Sequence, residues 1–222
     1  KVRFISYLIV VGFAFISCNG YSDGTFEKYF RDQTMRLDYY HTGNASEEHF
    51  SLDRMVNDGI WAGSKKQLVD NLELGKYLFE IQEIPSGKVL YSRGYSSIYG
   101  EWETTPEAKK EWGVFHESVR FPWPKEKVKL VISKRNEKQE FDQVWEYEVD
   151  PDNRKVNKAA LNNDYNVYDV IVNGDAHKKV DVVVLSEGYT KDEMDEFRRD
   201  ADKFAEALLN TEPFASRKED FN

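Results

Sequence analysis

The residues of this chain best suited to metal or acid–base chemistry are its four histidines, His41, His49, His116 and His177. A helical hydrolytic zinc site needs H-E-x-x-H: two imidazoles on one helix face hold the metal, and the glutamate activates its bound water. Only His116-Glu117-Ser118-Val119-Arg120 begins that pattern, and it fails. Arg120 occupies the second ligand position, and the segment reads as a strand. Glu47-Glu48-His49 sets carboxylates beside an imidazole but has no second histidine four residues on. Each of these groups reads as a surface or structural residue. No G-x-S-x-G elbow marks a serine nucleophile, and no glycine-rich loop is built for phosphate. The residues therefore name no catalytic group and no metal ligand within the chain.

Two other places carry chemistry of a different kind. Glu187, Gly188 and Tyr189 follow the apolar run Val180-Asp181-Val182-Val183-Val184-Leu185. A loop at the carboxyl end of a parallel strand is where α/β proteins place their sites. Such a loop lines a cleft, or Glu187 binds a cation; alternatively Gly188 makes the turn, Tyr189 packs and Glu187 is solvated. At the other end, Lys1 and Arg3 precede a mostly apolar run of 12 residues, 5–16, that stops at Ser17-Cys18. The run is short for a membrane span and suits a signal peptide. A small residue before the sole cysteine resembles a bacterial lipobox, which implies cleavage before Cys18 and lipid on its sulfur. An ordinary signal peptide, or a core helix with an incidental cysteine, is the alternative. A multiply acylated N-terminus anchors firmly, so the expectation is an exported protein lipid-anchored to the bacterial outer membrane, on its periplasmic or cell-surface side.

The formal net charge is -9 and aromatics make up 14%. No basic run suggests nucleic acid or a polybasic membrane patch. Residues 19–33 are polar and glycine-containing, like a tether. From Thr34 the period becomes two, with Met35, Leu37 and Tyr39 on one side. Residues 77–81 and 89–91 flank Pro85-Ser86-Gly87-Lys88 as a hairpin. Further alternating runs follow at 112–121, closed by Pro122 and Pro124, at 128–132 and at 141–149. Many short strands between turn signals make residues 34–150 mostly β, an antiparallel sandwich. Residues 151–164 read as a linker. Residues 167–172 and 180–185 read as two more strands, the second buried on both faces. Thr190 with Glu193 forms a capping box for a helix whose stripe runs Met194, Phe197, Ala201, Phe204, Ala205, Leu208, Leu209. A strand feeding a helix is the opening of an α/β domain, expected over 165–222 and truncated at Asn222.

The aromatics of the β region have two readings. Trp61, Trp102, Trp112, Trp123 and Trp145 exceed what a small core needs. They form a sugar- or peptide-binding platform, or they pack in the core and against a neighbouring domain.

Leu185-Ser186-Glu187-Gly188-Tyr189-Thr190, the acidic helix and Glu212-Pro213-Phe214 resemble the start of the catalytic domain of the IgA-peptidase family of zinc metallopeptidases. The motifs Arg36-Leu37-Asp38-Tyr39-Tyr40-His41-Thr42-Gly43-Asn44, Phe50-Ser51-Leu52-Asp53, Gly59-Ile60-Trp61-Ala62-Gly63-Ser64 and Phe121-Pro122-Trp123-Pro124 are similar to its N-terminal β-sandwich domain. The resemblance implies the N-terminal portion of a secreted bacterial zinc endopeptidase acting on a protein or peptide, with metal-activated water as attacking group. It implies zinc in the full-length relative. None of the family's ligands has a matching position here, so the chain is expected to be inactive alone. The competing reading is a non-enzymatic surface lipoprotein whose sandwich binds glycan or host protein.

Overall fold

The computed structural model describes residues 25–161 and 165–222. Cys18, the leader 1–18 and residues 19–24 of the expected tether lie outside the described residues. A short helix α1 (Thr25–Tyr29) leads into β1 (Phe30–Gly43). Seven more strands follow: β2 (Glu48–Asn57), β3 (Tyr77–Glu83), β4 (Val89–Tyr95), β5 (Gly113–Pro124), β6 (Val128–Arg135), β7 (Phe141–Val149) and β8 (Val156–Asn157). Helix α2 (Ile98–Trp102) lies between β4 and β5. The strands form two four-stranded sheets, sheet A ordered β5-β1-β2-β8 and sheet B ordered β4-β3-β6-β7. All pairings are antiparallel except the short one of β2 with β8. This is the expected mostly-β sandwich.

Alternation builds the core. Side chains two apart on a strand share a face. Met35, Leu37, Tyr39 and His41 on β1 therefore all point inward and are fully buried. Met35, Leu37 and Tyr39 meet Tyr77, Phe79 and Ile81 of β3 and Leu130 and Ile132 of β6 in one continuous cluster. Each apolar side chain so buried contributes about 1.5–3 kcal/mol. The β3–β4 hairpin turns at Gly87, whose φ of +72° is open to glycine at little cost.

Three sequence expectations change. The tether reading fails from residue 25 onward: Phe26 and Phe30 are buried in the core, so α1 and the start of β1 belong to the sandwich. Polar neighbours hid this apolar pair. Pro122 and Pro124 do not end β5. They pair with Thr34 and Phe30, which is tolerated because β5 is an edge strand and a proline there costs no ladder hydrogen bond. The linker 151–164 carries β8, whose buried Val156 pairs with Met55 and closes sheet A.

The second segment is built differently. Residues 191–193 form a 3-10 turn into α3 (Met194–Leu209). The capping box is present: the Thr190 amide and hydroxyl donate to Glu193 Oε2 at 2.8 and 2.7 Å. Residues 167–172 and 180–185 form no ladder among the described residues. Val180 instead makes a single parallel bridge with Phe221. The Val180 amide donates to Asp220 at 2.8 Å, Asn222 donates back to Val180 at 2.9 Å, and Val182 donates to Asn222 at 3.0 Å. Extended chain, helix and returning extended chain thus make the frame of a strand–helix–strand unit. The expected double burial of 180–185 is not found; Val183 and Leu185 are 80% and 74% exposed. A strand is covered on both faces only when flanking elements exist, and the described residues supply one neighbour. The α3 stripe is likewise only partly covered: Ala201 is buried, whereas Phe204 is half exposed. Among the described residues, no helix is long and apolar enough to cross a membrane.

Candidate functional site

Strand alternation decides the fate of the His116-Glu117 pair. His116 points outward from β5, and its Nε2 lies 3.1 Å from Asp53 Oδ2. Glu117 points inward, where Oε2 lies 3.1 Å from His41 Nδ1 and Oε1 accepts from the Tyr99 amide at 3.1 Å. His41 Nε2 lies 2.9 Å from Glu48 Oε2. The imidazole is also stacked on both faces, against Phe50 at 4.1 Å and Tyr99 at 3.9 Å between ring centroids. Tyr39 donates to Glu117 at 3.1 Å and Tyr77 to Glu48 at 2.9 Å. Lys134 bridges Glu48 and Glu103 at 2.9 and 2.8 Å, and Lys76 pairs with Glu103.

Three cations and three anions therefore share one end of the sandwich, and they balance only when His41 is protonated. Burial opposes that charge, but bonds and field from Glu117 and Glu48 outweigh it and raise the His41 pKa above its usual 6.5. Burial pushes Glu48 up, yet bonds from His41, Lys134 and Tyr77 bring it down to about 2. Glu117 is lowered by the same contest, with His41 and the Tyr99 amide prevailing over burial. Burial and nearby carboxylates hold the Tyr39, Tyr77 and Tyr99 hydroxyls protonated, as donors. An imidazolium donating from both nitrogens has no lone pair for a metal or for a substrate proton. The cluster is a structural ion network, which sequence reasoning did not assign to His41. Its depth of burial was open to inference from the inward positions Met35, Leu37 and Tyr39, two residues apart.

A second cluster lies on the outer face of sheet A. Ligand atoms of Asp38, Asp53 and His116 lie within 4.8 Å of one another. Asp38 is buried, and its two oxygens accept from Arg36 Nε and Arg54 Nε, both at 2.8 Å. Burial raises its carboxyl, but the guanidinium groups of Arg36 and Arg54 overcome that and lower it. Arg36 and Arg120 each also bind Asp58 at 2.6 Å. Guanidinium groups already fill the positions a dication would need.

The loop 186–189 sits at the carboxyl end of the extended segment 180–185. Gly188 turns it with φ +88°. Tyr189 donates to Asp200 Oδ2 at 3.0 Å and packs on Phe197, fixing the loop to α3. Glu187 is exposed. Beside α3 a shallow groove of about 350 Å³ is lined by Val170, Ile171, Ala205 and Leu209.

Two family matches divide the chain along these same lines. Residues 25–146 match the family described as Peptidase M64 N-terminus. Residues 168–222 match IgA Peptidase M64. The chain belongs to the M64 peptidase family. No curated protein matches it. The M64 N-terminal match takes in β1 to β6 and most of β7, so the His41 network lies within that match. The M64 peptidase match holds the loop 186–189 and α3.

M64 peptidases are metallopeptidases, and the histidines here do not fit that metal. His41 is saturated by Glu48 and Glu117. His49 stacks in parallel on Trp112 at 5.7 Å, and His116 belongs to the arginine-filled lattice. His177, the one histidine inside the peptidase match, lies 3.9 Å from Asp175, whose carboxylate is already held by Lys178 at 2.8 Å. Among the described residues, the one grouping of possible ligand atoms is Asp38, Asp53 and His116, which holds a single imidazole.

Proposed function

We propose that this chain is the N-terminal portion of an exported bacterial zinc endopeptidase, lipid-anchored through Cys18. Its sandwich positions the catalytic domain or a protein substrate. The observation that carries the reading is the order of the two matches, an M64 N-terminal domain followed by the M64 peptidase domain. The parallel contact of Val180 with Phe221 around α3 supports it, because further parallel strands can add to such a unit. So do the exposed Val183, Leu185 and Phe204, which a larger α/β sheet and its helices would cover. None of this chain's residues is assigned a catalytic role.

The test compares the complete gene product with the 222-residue chain on fluorogenic casein. The complete product should cleave it, lose activity to a chelator and regain it with zinc, while the chain alone stays inactive. Zinc-dependent cleavage by the chain alone would overturn the assignment, as would a complete product that cleaves nothing. The anchor is tested separately by Cys18→Ser, which should move the protein from the membrane fraction to the soluble one. Unchanged fractionation would refute lipid attachment.

A further inference from the structure

The outer face of sheet A is the most unusual exposed surface among the described residues. Trp112, just before β5, is 52% exposed, and Tyr40 on β1 is 42% exposed. Each is paired with a histidine: Trp112 lies parallel to His49, and Tyr40 lies 5.1 Å from His116. The register places these pairs in adjacent rows, since Thr42 faces both His49 and Val114, while Tyr40 faces His116. Rows on one strand face are about 7 Å apart. The two ring pairs thus lie side by side on one face, Trp112 parallel to His49 and Tyr40 tilted by 52° from His116. The next rows hold the lattice in which Asp38, Asp53 and Asp58 bind Arg36, Arg54 and Arg120.

That lattice selects the ligand. Its three arginines and three aspartates sum to zero on a chain of net charge -9. Each guanidinium is already bonded to a carboxylate, so the lattice offers phosphate or sulfate no net positive charge. An apolar protein surface laid on this face would strip water from Arg54, Arg120 and Asp53, the exposed charges of the lattice, at a cost their pairing does not recover. A neutral sugar meets neither obstacle. Its C–H faces stack on aromatic rings, and its hydroxyls exchange water for the half-exposed edges of Asp53, His116 and Arg54. We propose that the outer face of sheet A binds a neutral oligosaccharide, with Trp112 and Tyr40 as the stacking platform. This concerns the sandwich alone and is independent of the peptidase reading.

The full chain is titrated with maltohexaose, cellohexaose, mannohexaose and chitohexaose, with dextran sulfate as the anionic comparison. Tryptophan fluorescence and calorimetry report binding. At least one neutral hexasaccharide should bind, and Trp112→Ala and Tyr40→Ala should each weaken it about tenfold or more. Both positions are exposed, so melting temperature should hold, and His116→Gln supplies a third, milder variant. Lys129→Ala, on the outer face of the other sheet, should bind as the parent does. Three results would overturn the proposal: no neutral sugar binds, only dextran sulfate binds, or binding survives the combined Trp112→Ala and Tyr40→Ala change.

Discussion

Replacing His41 with phenylalanine keeps a flat ring between Phe50 and Tyr99 but removes the central cation of the buried network. Glu48 would retain Lys134 at 2.9 Å and the Tyr77 hydroxyl. Glu117 would retain only the Tyr39 hydroxyl and the Tyr99 amide, and no cation. Stranding a buried charge in this way costs about 3–5 kcal/mol. The lower end applies because just one of the two carboxylates loses its counter-ion. At about 2–4 °C per kcal/mol for a chain of this size, melting should fall by about 6–12 °C. Adding Glu117→Gln should restore part of the loss, since the stranded charge is then gone. Urea denaturation of the parent, both single variants and the double variant measures this coupling. A His41→Phe loss below about 1 kcal/mol, or no recovery in the double variant, would refute the network as described. The pH dependence has a definite sign. The His41 pKa is raised on folding, so its contribution is complete below 6.5 and fades as pH rises through the folded value. Glu48 and Glu117 are lowered, so theirs is complete above 4.5 and fades in acid, for Glu48 near pH 2. The His41→Phe variant should lose the alkaline limb of this profile.

Asp38→Asn should cost about 1.5–3 kcal/mol, because the buried carboxylate accepts charged bonds from Arg36 and Arg54. Its pKa is lowered on folding, so the parent's advantage should vanish as pH drops below 3.8, which acid titration of stability will show. Gly94→Ala should cost about 1–3 kcal/mol in chemical denaturation, since a Cβ there would run into the Leu74 carbonyl oxygen. Thr190→Ala should cost about 1 kcal/mol, seen as faster amide exchange in the first turn of α3.

What could be read from the sequence was whatever alternation and local turn chemistry specify. Val128, Leu130 and Ile132 announce β6, Pro85-Ser86-Gly87-Lys88 announces the hairpin, and Thr190 with Glu193 announces α3. The His41 network was hidden because its members come from distant strands; Glu117 lies 76 residues from the histidine it binds. Phe26 and Phe30 were hidden for a related reason. A polar segment with two aromatics resembles a tether until a core is there to receive them. The run at 180–185 misled in the opposite sense. Its composition states what should cover it, whereas the described residues contribute only the Phe221–Asn222 segment as neighbour. The family motifs pointed to an M64 peptidase through the frame of its domains, and not through any residue recognised as catalytic.

The pairing of β1 also sets a schedule. Its first residue, Phe30, meets Pro124, so one flank of the central strand waits for a partner made roughly ninety residues later. At the usual pace of synthesis that is a gap of roughly 5–20 seconds. The hairpin with β2 can close early, but the other backbone edge of β1 stays unpaired until β5 arrives. Non-local sandwiches of this type fold in milliseconds to seconds once complete. A nascent chain stalled before β5 would therefore present the unpaired edge of β1.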